Sequence, residues 1–550
     1  MKSVGNFTGR MVGGLGLWNV YFICKFFLTQ LGYLRLELFA NIALFCFLLL
    51  PANSKGMRVL KQLIALGCGI ALLWSESWLP GPQSIMANAT GITGFSVNYV
   101  LQLIWDFINW RMVFAGCAIL LIYYAARDFI RVTAVTGCWL LFLVVSPFFG
   151  SAPSQQSNLV PQTATGKTAV GNPTDTAAAL AAAKGTSQGE ASSEEIDKWY
   201  QTFIAYEKDR VAKFPDSIKP KDTPFDIVIL NICSLSTDDL IAANLINNRT
   251  FSQFNIRFDH FNSATSYSGP AALRLLNGAC GQPSHDALYD TRRPECEIMN
   301  RLDSLGFKQH LFLDHSGVYD NYLNAMRTQA GLTAPFERRR YPVKYVSFNN
   351  EEIADTLSVF RHWRSVVNKA KDPRSVSLFN FIALHDGNRQ PGKSRWEEFE
   401  PRARAFIDAL DVFIADLQKS KRKVMLIIVP EHGAAVRGDR IQTPRLRDIP
   451  SRRITQVPVM VKFFGLNKLP KTPVHVTSDT SYLALSTLIG RVIETNYFSK
   501  PEGAVPIADL VNDLSTTHMV SENAQAMVLE YKGKDYLKMS KGQWRLYDAD

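Results

Sequence analysis

The stretch KVMLIIVPEHG (423–433) carries six consecutive apolar residues, Val424 to Val429, into Pro-Glu-His-Gly. A continuous apolar run of this length, closed by a proline, suits a strand buried on both faces of a sheet. Three further runs have the same character: FDIVILNI (225–232), VSLFNFIAL (376–384) and VPVMVKFF (457–464). Amphipathic helical stretches alternate with them, at 270–278, 351–368, 396–419 and 479–493. This alternation predicts an α/β domain: a central mixed, mostly parallel sheet with helices on both faces. The tail AMVLEYKGKDYLKMSKGQWRLYD (526–548) reads as short antiparallel strands.

In open α/β sheets, ligands bind beyond the carboxyl ends of the strands. Cys233 follows the first run directly, His385 follows VSLFNFIAL, and Glu431 and His432 follow KVMLIIVP. Taken alone, Cys233 reads more readily as a small buried hydrophobe than as a ligand or nucleophile. Three strands delivering Cys, His and Glu-His to one edge are harder to explain as packing. Thiolate, imidazole and carboxylate together favour Zn²⁺ over Mg²⁺ or Ca²⁺.

TSYSGPAALRLLNG (265–278) places Ser268 before Gly269-Pro270 and an Ala/Leu-rich helix. Ser268 is therefore either an N-cap or a nucleophile attacking phosphorus where a helix N-terminus stabilises anions. Thr265, Ser266 and Tyr267 are rivals for that role. Cys280 and Cys296 either form a disulfide bracing this helix or remain free thiols; Cys233 would then be the odd cysteine. Six arginines, Arg437, Arg440, Arg445, Arg447, Arg452 and Arg453, follow Glu431-His432. Most read as a solvated face, with Arg447 the candidate phosphate clamp. His475 is either a substrate contact or a surface histidine.

Of the net charge of +11, six units lie in residues 1–150, which hold ten basic and four acidic residues. Basic residues concentrated in an apolar segment do not make a nucleic-acid surface. Apolar stretches at 12–31, 36–51, 59–76, 110–126 and 133–150 predict an all-α membrane domain with five spans. Lys25, inside the first, is expected to snorkel. Recurring apolar segments argue against a cleavable signal peptide. Lys and Arg sit before the first span and between spans 2–3 and 4–5, whereas 77–109 has none. The positive-inside rule puts the N-terminus in the cytoplasm and everything after 150 outside. Four crossings plus an interfacial helix would reverse that. Trp74, Trp78, Trp105 and Trp110 suit an interfacial belt. Residues 151–195 lack aromatics and form the expected flexible tether, leaving 196–550 as the globular domain.

NICSLS (231–236), SYSGPAALRLLNGACGQPSHDALY (266–289) and VPEHGAAVRGDR (429–440) follow a membrane domain and tether in this chain. This order resembles the membrane phosphoethanolamine transferases of the alkaline phosphatase superfamily, and specifically the type serving bacterial cellulose biosynthesis. Cys233 stands where that superfamily usually has an acid, Ser268 at the Thr nucleophile, and Glu431-His432-Gly433 at the Asp-His-Gly motif. The lipid A-modifying branch carries more disulfides than this domain can form.

The resemblance implies an alkaline-phosphatase-like domain in the periplasm, anchored in a bacterial inner membrane. It implies one Zn²⁺ held by Cys233, Glu431 and His432, and a phospho-Ser268 intermediate. His385, Arg447 and Tyr267 would assist. Phosphatidylethanolamine would be the donor and cellulose the acceptor, with the cellulose synthase complex and its small membrane subunits as partners. Other activities of the superfamily, phosphoglycerol transfer or phosphodiester hydrolysis, are alternatives. A sulfatase is not, because C/S-x-P-S-R is absent from 265–274. A different class of alternative is a non-catalytic scaffold in an exopolysaccharide secretion complex.

Overall fold

The computed structural model describes residues 15–30, 34, 36–52, 54–76, 110–149, 191–290, 292–540 and 542–548. The expected outer loop at 77–109 and most of the tether lie outside these residues. The described chain forms two compact units.

The first unit holds helices Trp18–Gln30, Leu38–Leu49, Lys55–Glu76, Trp110–Ala126 and Val132–Phe149, one for each apolar stretch. Among the described residues, Lys55–Glu76 is the one helix long and apolar enough to cross a membrane by length and composition. Lys25 does not snorkel. It is 1% exposed, paired with Glu76, and donates to Asn41 Oδ1 at 2.6 Å. Asn41 also donates to Glu76. One buried polar cluster thus joins the first three helices, because a buried ammonium needs a partner.

The second unit is built on β1 (Asp226–Cys233), β2 (Ile256–Phe261), β3 (Lys308–Leu313), a small ladder of β4 (Val343–Val346) and β5 (Glu352–Ala354), then β6 (Ser375–Phe381), β7 (Val424–His432), β8 (Val459–Phe464) and β9 (Val474–Thr480). The main sheet has the order β3-β6-β1-β7-β8-β2-β9, with only β8 antiparallel to its neighbours. The expectation of a mixed, mostly parallel sheet holds. Along β1, Ile227 and Ile229 join a core that includes helices Ser268–Leu276 and Tyr482–Glu494. Val228, Leu230 and Ile232 join another, with Thr356–Ala370 and Phe399–Lys419. Both faces are covered, which is why β1, β6 and β7 read as mainly apolar runs rather than as alternating ones. Each buried Ile, Leu, Val or Phe stabilises the fold by about 1.5–3 kcal/mol.

Some boundaries differ from expectation. Residues 352–354 are strand, so the helix expected from 351 starts at Thr356 behind the Asp355 cap. Asp479 and Thr480 end β9, and the next helix starts at Tyr482. The globular unit begins before 196: helix Ser193–Lys208 is capped by Ser192, which accepts from the Glu195 N–H at 3.2 Å. That helix packs Ile196, Trp199 and Phe203 against Val520, Leu529 and Trp544. The tail forms a separate antiparallel sheet of β10 (Val520–Glu522), β11 (Ala526–Tyr531), β12 (Lys534–Met539) and β13 (Arg545–Leu546).

Candidate metal and nucleophile centre

At the carboxyl end of the sheet, β1 and β7 pair in regular register up to Ile232 and Pro430, after which Cys233 pairs with His432. Glu431 is the extra residue of a β-bulge. Pro430 cannot donate to a ladder, which suits an irregularity at this point. A bulge re-aims side chains, and here Glu431 and His432 both reach the site although they are adjacent in a strand. The backbone turns sharply after β1, with Ser234 at φ 93°. Such strain in a non-glycine residue is concentrated at functional sites.

The ligand atoms of Cys233, Glu431 and His432 lie within 4.8 Å of one another, and all three residues are buried. Cys233 Sγ is 3.8 Å from His432 Nε2, which is 4.0 Å from Glu431 Oε2. His432 Nδ1 lies 2.8 Å from the Gly433 carbonyl. A carbonyl only accepts, so Nδ1 carries the proton and Nε2 presents its lone pair to the cluster. Glu431 Oε1 accepts from Asn380 Nδ2 at 2.6 Å and Tyr322 OH at 3.2 Å, while buried Oε2 has no hydrogen-bond partner among the described residues. Burial and then Glu431 push the Cys233 thiol up to about 12. Burial likewise raises the Glu431 carboxyl, and burial with Arg447 holds His432 well below the usual imidazole range. A thiol, a carboxylate with an unmet oxygen and an imidazole lone pair fit a Zn²⁺ ion, whose charge reverses the cost of ionising the first two.

Ser268 is the first residue of helix Ser268–Leu276. The N-cap position belongs to Tyr267, whose side chain makes no cap hydrogen bond. The Ser268 hydroxyl is turned to the cluster instead, 3.2 Å from Cys233 Sγ and 3.2 Å from His432 Nε2. Its rivals are engaged elsewhere. Thr265 donates to Asn523 Oδ1 at 2.8 Å, Ser266 donates to the Arg447 carbonyl, and both are fully buried. Tyr267 donates to Asp448 at 2.5 Å. Cys280 and Cys296 form a disulfide just beyond this helix.

Of the clustered arginines, Arg447 faces the centre: its Nη1 donates to Ser234 Oγ at 3.3 Å and lies 3.2 Å from His432 Nδ1, a contact between two donors rather than a hydrogen bond. Arg437 pairs with Asp238, Arg445 with Glu398 and Asp386, and Arg452 with Glu530 and Asp535. His385 lies four residues past the end of β6 rather than at it. Its Nδ1 lies 2.7 Å from the Asp386 carbonyl, so Nε2 holds the lone pair. Burial and Arg447 push it down to about 4. His475 is on edge strand β9, half-exposed and 2.9 Å from Asp259.

Sequence reasoning missed the residues behind the candidate ligands: Asn380, Tyr322 and Asp239. Asn231 and Asn380 are cross-strand partners in β1 and β6, and each is a polar residue inside a mainly apolar run, a signal the sequence carries. Asp239 is fully buried and accepts from the Ser236, Ala434 and Val436 N–H groups at 2.9, 2.6 and 3.1 Å. It ties the turn after β1 to the loop after His432. Gly433 lies against this tie: a Cβ there would come within 2.7 Å of Ser236 Oγ and 2.9 Å of Asp239 Oδ2.

Two family models match the chain. The cellulose biosynthesis protein BcsG N-terminal domain matches residues 18–145, and the BcsG C-terminal domain matches residues 180–544. Cellulose biosynthesis protein BcsG of Salmonella typhimurium is 39% identical over 541 residues, covering 97% of this chain and 96% of that protein. The Escherichia coli K12 protein of the same description gives the same figures. Among solved structures, a protein in the alkaline phosphatase superfamily from Vibrio parahaemolyticus is 10% identical with a TM-score of 0.46, covering 66% of this chain and 89% of its own. By both domain models and by near-full-length identity, the chain belongs to the BcsG family of cellulose biosynthesis proteins.

Proposed function

We propose that the protein is a zinc-dependent transferase that moves phosphoethanolamine from phosphatidylethanolamine to a glucose 6-hydroxyl of cellulose, through an ester on Ser268. The observation that carries this reading is the Ser268 hydroxyl, 3.2 Å from both Cys233 Sγ and His432 Nε2 at the start of a helix. Kinship with BcsG, a cellulose biosynthesis protein, supports a place in cellulose synthesis; in this reading cellulose is the acceptor, and the cellulose synthase complex with its small membrane subunits is the partner.

Cys233, Glu431 and His432 would hold the ion. Bound zinc supplies positive charge that lowers the pKa of the serine hydroxyl and offsets phosphoryl charge. In the first step Ser268 Oγ bonds to phosphorus and the phosphorus–oxygen bond to diacylglycerol breaks; the serine proton ends on the departing hydroxyl. In the second, a glucan hydroxyl oxygen bonds to phosphorus, the bond to Ser268 breaks, and the glucan proton returns to Ser268. The helix N-terminus and Arg447 hold the non-bridging oxygens. His385, neutral with Nε2 bare, takes the proton of the incoming hydroxyl and passes it to the departing Ser268 oxygen. Tyr267, bonded to Asp448, shapes the mouth of the site.

The five N-terminal helices span a bacterial inner membrane, with the N-terminus in the cytoplasm and the catalytic domain on the periplasmic side. Charge distribution between the helices supports that orientation. The donor then lies in the bilayer that anchors the enzyme.

The test uses intact protein in membranes rich in phosphatidylethanolamine, without acceptor, followed by digestion and mass measurement of the Ser268 peptide. Ser268→Ala protein is treated alongside, and zinc is measured on both. A phosphoethanolamine adduct lost in the variant is the expected result. A glycerophosphate adduct would reassign the donor. Neither adduct nor zinc would leave the scaffold role.

A further inference from the structure

The two hydrogen bonds to Glu431 Oε1 come from residues that share a neighbour, His315, two residues past the end of β3. His315 Nε2 lies 2.8 Å from Asn380 Oδ1, and its ring meets the Tyr322 ring edge-on at 5.7 Å. The Gly317 N–H donates to His315 Nδ1 at 3.1 Å. A backbone N–H only donates, so Nδ1 is bare and Nε2 carries the proton. That proton fixes Asn380 Oδ1 as the acceptor and turns the amide nitrogen to Glu431. The same nitrogen donates to Asn231 Oδ1 at 3.0 Å, and Asn231 Nδ2 donates to the Val429 carbonyl of β7 at 2.9 Å. Each orientation in this chain follows from the one before it. The outcome is a buried carboxylate with one oxygen doubly engaged and the other without a hydrogen-bond partner among the described residues.

We infer that His315, acting through Asn380 and Tyr322, sets the orientation of Glu431, so that Oε2 is the oxygen offered to a cation shared with Cys233 and His432. His315, Asn380 and Tyr322 are positioning residues. The inference rests on reading Cys233, Glu431 and His432 as a zinc site. One oxygen from Glu431, one sulfur and one nitrogen would make three protein donors to such an ion. Groups that orient a metal ligand typically govern affinity by about 10–100-fold.

The experiment is chelator competition for zinc on purified full-length protein in detergent, with a melting curve for every variant. His315→Leu and Asn380→Leu should each weaken zinc by about 10–100-fold. Tyr322→Phe, which keeps the ring and loses one donor, should weaken it less. His315→Gln, whose amide can donate to Asn380, should recover most of the affinity. The His315→Leu, Asn380→Leu double variant should lose less than the product of the single losses, because one residue acts through the other. Affinity within twofold of the parent in Tyr322→Phe and His315→Leu, or a full product in the double variant, overturns the inference. Should the Leu variants not fold, Tyr322→Phe decides alone. Cys233→Ala and His432→Ala test the underlying reading separately. If they bind zinc as tightly as the parent, the site itself is wrong, whatever His315 does.

Discussion

Asp239 is the buried strut of the centre, and replacing it has a calculable cost. Its Oδ2 accepts from Ser236 and Ala434 N–H, and its Oδ1 from Val436 N–H. In Asp239→Asn the remaining oxygen can serve the first two, but the amide NH2 then faces the Val436 N–H. One buried donor is orphaned, at about 1–3 kcal/mol, and two bonds lose their ionic character. In Asp239→Ala all three donors are orphaned, for about 3–6 kcal/mol once some are rehydrated. For a domain of this size, 1 kcal/mol lowers Tm by about 2 °C. Asp239→Asn should therefore melt about 4 °C below the parent and Asp239→Ala about 6–12 °C below, read by tryptophan fluorescence on full-length protein in detergent. Both variants should also lose zinc more readily, because the tie holds the loop after His432. The reasoning fails if Asp239→Ala melts no lower than Asp239→Asn, or if both melt with the parent.

Three further outcomes follow from the same geometry. In zinc-stripped protein at pH 8, Cys233 should resist alkylation: burial beside Glu431 pushes its thiol up to about 12, leaving a thiolate fraction of about one in 10⁴. Rapid labelling would contradict this. Arg447 helps hold His385 down to about 4, so Arg447→Met should let it rise toward its ordinary value. His385 would then be protonated at higher pH, and the acid limb of kcat/KM should move upward relative to the parent's. Replacing both Cys280 and Cys296 by Ser opens a link of sequence separation 16. The loss should be about 3 kcal/mol, seen as a Tm drop that reductant reproduces in the parent.

The strands that the sequence made plain are the inner ones. β1, β6 and β7 are covered on both faces and are mainly apolar, with no alternation of polar and apolar positions. β3 and β9 are the sheet edges and β2 lies next to one. In β2 and β9 charged residues interrupt the run, and their exposed or half-exposed positions carry no continuous signal. The candidate ligands were readable because they close plain strands: Cys233 is the last residue of β1, and Glu431 and His432 are the last two of β7. Ser268 stood out through Gly269-Pro270, although its place inside the first turn, rather than at the cap, depends on backbone geometry that composition does not specify. Tyr322 and His315 carry no motif. Tertiary packing alone brings them to Glu431, and no spacing along the chain encodes it. Lys25 shows the converse: its helix was evident, but its partners Asn41 and Glu76 lie on two other helices.

The two-against-one pairing at Glu431 also limits how β7 can change. In an unbroken strand, consecutive side chains stand on opposite faces, so Glu431 and His432 cannot both serve one centre in regular register. Deleting any one residue between Val424 and Pro430 would slide the ladder by one position and exchange the faces of every core residue upstream. Replacing Pro430 with a residue that can donate would invite regular pairing to continue past Ile232, sending Glu431 or His432 into the packed side of the sheet. Length, rather than composition, is thus the constrained property of this strand. A library varying its apolar residues should keep many zinc-binding members, while one carrying single-residue insertions or deletions should keep almost none.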